Sequence, residues 1–270
     1  MLDVFEKTFF EVRKFLLSEG FQHLSVVQKN PRKEDVSKGF DYFAEEKAIN
    51  FLSENLGFPV KILTEERGEI PPKEGEAKYV LVIDPVDGST NFGRKIESVA
   101  FSIAAIPAKK PLQLENVEFA LVGSIFSGNV FKAQKGKGAF YNNERAFSSK
   151  EDSIEKACVG IDLDFKDRSK LVRVKRILEK AKYIRRGGSA ALDTAYVSNG
   201  ACDACLDVRG MSTVENFIAD YLLIKEAGGI FTDAFGNKLP KIQSLGETFS
   251  WVASGNQKLH KEIVGLLEMD

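Results

Sequence analysis

A continuous apolar run, Tyr79 to Ile83, ends at Asp84 and passes directly into Pro85-Val86-Asp87-Gly88-Ser89-Thr90-Asn91. The run reads as a strand, and Pro85 biases Asp84 toward an extended backbone, so the strand continues straight into its turn. Gly88 supplies the backbone freedom that a tight bend needs. Asp84 and Asp87 lie three apart across that bend and can converge on one cation. Hard oxygen donors without histidine or thiolate favour Mg²⁺ over zinc. The plainer reading is an acidic surface turn. If a helix starts at Gly88, Ser89 and Thr90, their backbone N–H groups make an anion site. Another acid pair, Glu65-Glu66, ends the preceding predicted strand, Val60 to Leu63. Neighbouring strand residues point to opposite faces, so one of the two faces any site shared with Asp84.

Composition removes several alternatives. With 270 residues, the chain suits one large domain or two intimately packed ones, because single cores stop growing above roughly 250 residues. A 43% hydrophobic content excludes general disorder, and a net charge of −1 argues against a nucleic-acid binder driven by bulk charge. The two histidines, His23 and His260, lie far apart, which speaks against a His-based zinc site and a Ser-His-Asp hydrolase. Cys158, Cys202 and Cys205 cannot form a full disulfide framework, so a reducing cytoplasm is the expected location. Acids interrupt the N-terminal apolar stripe Leu2, Phe5, Phe9, Val12 and Leu16, which has helical spacing and reads as core packing. No apolar stretch reaches the roughly 20 residues of a membrane span.

Along the chain, helical patterns at the N-terminus and at Phe40–Leu56 flank a charged stretch, residues 28–38, expected to be an exposed loop. Strands are predicted at Val99–Pro107, Val117–Ser124, Asn129–Gln134 and Gly138–Tyr141, with a turn at Asn142-Asn143. Beyond about residue 150 the expected order is strand Cys158–Leu163, basic helix Ser169–Ala181, strand Tyr183–Arg186, helix Ala190–Ser198, strand Ala204–Val208 and helix Thr213–Ala227. This order predicts two α/β (α+β) halves sharing an interface, residues 1–147 and 148–270.

The runs ILTEE, VIDPVDGSTNF and EAGG resemble the inositol monophosphatase/fructose-1,6-bisphosphatase superfamily of metal-dependent, lithium-sensitive phosphatases. KGKGAFYNNERA (135–146) and GSAALDTAYVSNGACDACLDVR (188–209) extend the resemblance over nearly the whole chain. The spacing of Asp35, Ser37 and Asp41 is similar to that of archaeal dual-activity members. The resemblance implies a layered αβαβα sugar-phosphatase fold and two or three Mg²⁺ ions, with Mn²⁺ as a substitute. It implies that Glu65, Asp84 and the Val86 carbonyl hold one ion, that Asp84 and Asp87 hold another, and that Glu65 with water holds a weaker third. Asp41, Glu65 and Ser89 would be catalytic, with Asp41 and Ser89 orienting the attacking water and the loop of Asp35 and Ser37 closing over it. Gly88, Ser89, Arg186 and Ser189 would bind substrate. It further implies a homodimer acting on a sugar or inositol phosphate, and charge and apolar-run length add the expectation of no nucleic-acid or membrane partner. Inositol monophosphate and fructose 1,6-bisphosphate are the expected substrates. A nucleotide phosphatase acting on 3′-phosphoadenosine 5′-phosphate is the alternative within the class.

One position departs from the family. Members carry an aspartate ten residues before the glutamate of EAGG, and counting back from Glu226 lands on Asn216. Asn216 offers a metal a carbonyl oxygen but no charge, which predicts a weaker second site and leaves a catalytically impaired relative as a rival reading. Glu215 is either a surrogate ligand or, with Ser212, a capping box for the following helix. Cys202-x-x-Cys205 reads as core or incidental cysteines, and Asp162 with Asp164 as an acid pair unconnected to the first cluster.

Overall fold

The computed structural model describes residues 1–29 and 36–269. Eight strands form one sheet in the spatial order Glu144–Ala146, Gly138–Tyr141, Val130–Gln134, Phe119–Ser124, Ala100–Pro107, Tyr79–Asp87, Val60–Thr64 and Gly68–Ile70. All neighbours in it are antiparallel except Val60–Thr64 against Tyr79–Asp87. A second sheet of five strands runs Tyr183–Arg185, Cys158–Ile161, Ala204–Thr213, Thr248–Ser254 and Ile230–Asp233.

Three apolar cores hold five layers together, the central one on both sides of the middle helices. Helices Leu2–Ser18 and Gly39–Asn55 bury Phe5, Phe9, Leu16, Phe40 and Leu52 against Leu81, Ile83 and Phe101 on the outer face of the large sheet. Strand side chains alternate, so Val82, Ala100 and Ala104 point the other way. They meet helices Ala190–Ser198 and Ile218–Glu226, which also pack against Cys205, Phe231 and Trp251 of the small sheet. The opposite face of the small sheet is covered by helices Lys175–Lys180 and Gln257–Leu266 through Ile177, Leu259 and Ile263. The result is the αβαβα order. Burial on both faces explains why Tyr79–Ile83 reads as an unbroken apolar run and not an alternating one.

Several expectations change in detail. The stretch expected as a loop, 28–38, has strands at both its described ends: Val26–Lys29 and Val36–Lys38 pair antiparallel. The polar segment after Arg67 contributes the edge strand Gly68–Ile70, because its apolar Ile70 packs on the outer core. The basic segment is not one α-helix: Arg168–Val174 is 3₁₀, followed by Lys175–Lys180. The expected helix Thr213–Ala227 begins later. The small-sheet strand runs on to Thr213, Val214–Asn216 is a 3₁₀ turn, and the α-helix starts at Ile218. Ser212 is therefore no helix cap; its hydroxyl accepts from the Trp251 indole at 3.1 Å, which removes the capping-box reading of Ser212 and Glu215. Glu215 is buried in the 3₁₀ turn.

Candidate active site

The Tyr79–Asp87 strand and its neighbour Ala100–Pro107 lose register between Asp84 and Asp87, a bulge that re-aims both carboxylates at the strand end. Val86 N–H donates to Asp84 Oδ1 at 3.0 Å, closing a tight turn around the acid. Gly88 takes φ +94°, and the short helix Ser89–Gly93 begins immediately after it. A Cβ at Gly88 would stand 2.9 Å from the Ser98 carbonyl oxygen and 3.3 Å from Ser189 Cβ, so this bend requires glycine.

Glu65 does not end a strand but sits with Glu66 and Arg67 in the hairpin turn between Val60–Thr64 and Gly68–Ile70. Glu45 holds that turn from behind. Its carboxylate accepts from Thr64 Oγ1 at 2.9 Å and from the N–H groups of Glu66 and Arg67, each at 3.1 Å. Burial raises the Glu45 carboxyl to about 7, against the lowering effect of those donors. Asp41 lies four residues earlier on the same helix and is buried. Its carboxyl is pushed well up by burial and by the charges of Glu66 and Glu65.

These elements meet at one cleft of about 560 Å³ between the two sheets. Glu65, Asp84, Val86, Asp87, Gly88, Ser89 and Thr90 form one wall and Asn216 approaches from the second half; Asp162, Asp164, Arg186 and Arg209 form the other wall. Asp41 faces an adjoining recess that shares Glu65, Asp84, Val86 and Ser89 with the cleft. Asn91 ties its own turn to the segment before helix Ala190–Ser198 by donating to the Ser98 and Gly187 carbonyls, both at 2.8 Å. Ser189, expected beside substrate, lies fully buried behind the wall. It donates to Asp87 Oδ2, which also accepts from Ala191 N–H at 2.8 Å. Asp87 is thus held at the start of helix Ala190–Ser198, and burial raises its carboxyl to about 7, with Glu65 and Asp193 adding to the effect. Asp35 lies outside the described residues, as does the side chain of Ser37.

One expectation is overturned here. Asp162 and Asp164 are not separate from the first acid cluster but line the same cleft. They share it with Arg209, which carried no distinguishing signal beyond its place in Asp207-Val208-Arg209. Arg209 makes two bonds to the Asp207 carboxylate, at 2.9 and 2.6 Å, and its Nη2 lies 2.9 Å from Asp162. Arg186 pairs with Asp162 at 3.7 Å and with Asp164. Glu45 was also missed, although its spacing from Asp41 places both on one helical face. Cys158, Cys202 and Cys205 are free thiols.

The donor set suits a hard cation: carboxylates of Glu65, Asp84 and Asp87, the amide of Asn216, and no histidine or cysteine among the described cleft-lining residues. Among the described residues no three acidic, His or Cys side chains already close around a common point. Like-charged carboxylates repel one another until a cation draws them together. Asn216 is turned as a donor, its Nδ2 reaching Asp84 Oδ2 at 3.3 Å while its Oδ1 accepts from Thr213 Oγ1 at 3.1 Å.

Known proteins share this architecture. The chain is 33% identical to a fructose-1,6-bisphosphatase/inositol-1-monophosphatase of Methanothermobacter thermautotrophicus over 86% of this chain and 84% of that protein. It is 32% identical to a Nus factor SuhB of Pseudomonas aeruginosa, over 94% of this chain and 90% of that protein. The crystal structure of the extragenic suppressor protein suhB from Bartonella henselae superposes with a TM-score of 0.84 at 25% identity, covering 99% of this chain and 98% of that one. Residues 2–269 match the inositol monophosphatase family as a whole. The chain belongs to the inositol monophosphatase family, hydrolases that act on phosphomonoesters.

Proposed function

We propose that the protein is a magnesium-dependent phosphomonoesterase that hydrolyses inositol monophosphate and fructose 1,6-bisphosphate by attack of an activated water. The observation that carries this reading is that Glu65, Asp84, Asp87 and the Gly88–Ser89 turn line one cleft whose far wall alternates Asp162, Asp164, Arg186 and Arg209. Glu65, Asp84, the Val86 carbonyl and Asp87 would hold the ions, with Asn216 turning its amide to offer Oδ1. Bound magnesium neutralises the phosphate dianion and lowers the pKa of water. The chain's own part is positional. Gly88 and Ser89 orient the phosphate at the turn. Asp41, buried at the recess it shares with Glu65, Asp84 and Ser89, would orient or activate the attacking water.

The far wall supports a polyol leaving group. Acids accept from hydroxyls while Arg186 and Arg209 donate, and a second phosphate meets the half-exposed Arg186. Among the described residues no aromatic ring lines the cleft to stack on adenine, which favours a sugar or inositol phosphate over a nucleotide. The three free thiols fit a reducing cytoplasm, and among the described residues no helix is long and apolar enough to cross a membrane. A second reading, a phosphate-ester binder with little turnover, draws on the Asn216 amide donating to Asp84.

The test is phosphate release from inositol 1-phosphate, fructose 1,6-bisphosphate and adenosine 3′,5′-bisphosphate across a magnesium titration, in wild type and Asp84→Asn. Release from the first two that needs magnesium and disappears in the variant supports the proposal. Preference for the adenosine ester replaces its substrate class. Binding without release at any magnesium concentration establishes the second reading.

A further inference from the structure

Arg186, Gly187 and Gly188 connect the edge strand Tyr183–Arg185 to helix Ala190–Ser198 and form a thin partition. On one side lies the catalytic cleft, lined by Arg186 and Gly188; on the other lies a second cavity of about 410 Å³, lined by Arg186, Gly187 and Asp193. With open space on both faces, apolar packing does not fix this segment, and polar contacts do so instead. Asp193, in the first turn of the helix, reaches back toward the partition. Its Oδ2 accepts from the N–H groups of Gly187 and Gly188, at 2.8 and 3.1 Å. Asn91 donates to the Gly187 carbonyl from the opposite side at 2.8 Å. The approach is this close because residue 187 is glycine: a Cβ there would overlap Asp193 Oδ1 and stand 2.6 Å from Ser98 Oγ. Gly187 is thus gripped at both its N–H and its carbonyl, and Arg186 immediately precedes it.

The Arg186 side chain is half-exposed and leans on Asp162 at 3.7 Å and on Asp164. Ion pairs at an open rim are weak and exchange readily with an incoming anion. The backbone anchor then decides where the guanidinium stands. We infer that Asp193 is a positioning residue for substrates carrying two phosphates: by holding Gly187 and Gly188 it keeps Arg186 at the place in the cleft where the guanidinium meets the second phosphate. This rests on the phosphomonoesterase reading above and adds to it a source of selectivity between esters. Two N–H donors on one carboxylate oxygen are charge-assisted bonds, stronger and more directional than the rim pairs. Burial raises the Asp193 carboxyl to about 6, against the lowering effect of those two donors, so the acid is ionised at pH 7.5.

The test measures kcat and KM at pH 7.5 with magnesium for fructose 1,6-bisphosphate and inositol 1-phosphate, in wild type, Asp193→Ala, Asp193→Asn, Arg186→Ala and the Asp193→Ala/Arg186→Ala double variant. Asp193→Ala is expected to raise KM for the bisphosphate about 10- to 100-fold, the range for losing a hydrogen bond to a charged group, and KM for the monophosphate less than about threefold. Asp193→Asn keeps an oxygen within reach of both N–H groups and should stay within about threefold of wild type for both esters. In the Arg186→Ala background, Asp193→Ala should raise KM no further, because it acts through the arginine. A merely structural aspartate would weaken both esters alike and add to Arg186→Ala; that result overturns the inference. Unchanged KM values in Asp193→Ala also overturn it and leave the phosphatase reading standing. If wild type does not turn over fructose 1,6-bisphosphate, that substrate falls from the proposed function, and the NMR resonance of the Arg186 Nε–H decides the inference. It should shift in Asp193→Ala and not in Asp193→Asn; an unmoved resonance overturns the inference. If Asp193→Ala does not fold, Gly187→Ala takes its place, its methyl driving the peptide off Asp193. The same split between the two esters is expected, and equal effects on both overturn the inference.

Discussion

Asn216 Nδ2 donates to Asp84 Oδ2 at 3.3 Å, joining a 3₁₀ turn of the second half to the central strand end of the first across 132 residues of sequence. The amide bridges the acid much as a cation would, with weaker attraction. That bond holds the cleft together in the absence of metal and competes with the orientation in which Asn216 would be a ligand.

Asn216→Asp follows directly. Two carboxylates at that separation repel, so in chelator the variant should lose about 1–4 kcal/mol of stability. With magnesium the order reverses: the concentration needed for half-maximal phosphate release should fall about tenfold. Chelator melts and a magnesium titration check both halves, and a variant that melts and titrates like wild type contradicts the account.

Gly88→Ala tests the bend. The native φ of +94° and the 2.9 Å approach to the Ser98 carbonyl leave no room for a methyl. A non-glycine residue held in the left-handed region costs about 1–3 kcal/mol before any clash. The expected result is a lower urea midpoint together with loss of phosphate release, because Ser89 and Asp87 move with the turn.

Glu45→Ala removes the acceptor of the Thr64 hydroxyl and of two backbone N–H groups in the turn that presents Glu65. Orphaned buried donors cost about 1–3 kcal/mol each when water cannot reach them. Denaturant unfolding should show a loss at the lower end of that sum, since the turn is half-exposed. Phosphate release should fall more than stability alone explains.

His260 gives the stability a defined pH dependence. It is buried, bonded to Thr232 Oγ1 at 2.9 Å and Ser254 Oγ at 3.2 Å, and burial lowers its pKa from 6.5 to about 4, with Lys225 contributing. The unfolded chain therefore takes up a proton first as pH falls. This group's contribution is fully present above about pH 6.5 and is lost between there and about pH 4, by about 3 kcal/mol in total. Glu45, whose carboxyl is raised to about 7, acts with the opposite sign, its stability contribution being lost as pH rises toward 7. The measurement is thus the difference between wild type and His260→Gln in melts from pH 7.5 to 4.5. The wild type should lose stability relative to the variant on acidification; parallel curves would refute the assignment.

Much of the site was legible in one dimension because its pieces are local. A strand running into Asp84-Pro85-Val86-Asp87-Gly88 brings two acids and a glycine bend together whatever surrounds them, and the neighbouring turn at Glu65 follows its own strand. Glu45 was less visible. Its distance from Asp41 fits one helical face, but nothing in that spacing says which turn it braces. The start of helix Ile218–Glu226 was misread because Ser212-x-x-Glu215 fits a cap pattern, whereas pairing with Thr248–Ser254 keeps Ser212 in a strand.

Sequence by itself determined many of the elements before Glu226, the acid-bearing strand end, the family resemblance and the replacement at Asn216, since each depends on spacing within a few residues. Only the tertiary structure decided which distant groups share the cleft. Asp162, Asp164 and Arg209 join Asp84 because both sheets bury their inner faces on the same pair of helices, Ala190–Ser198 and Ile218–Glu226. That layer also sends Ser189 behind Asp87 and buries Asp220 of helix Ile218–Glu226. Apolar burial is non-directional, so a sequence pattern marks which faces are buried. The partner against which each face is buried is set by the packing of the whole chain.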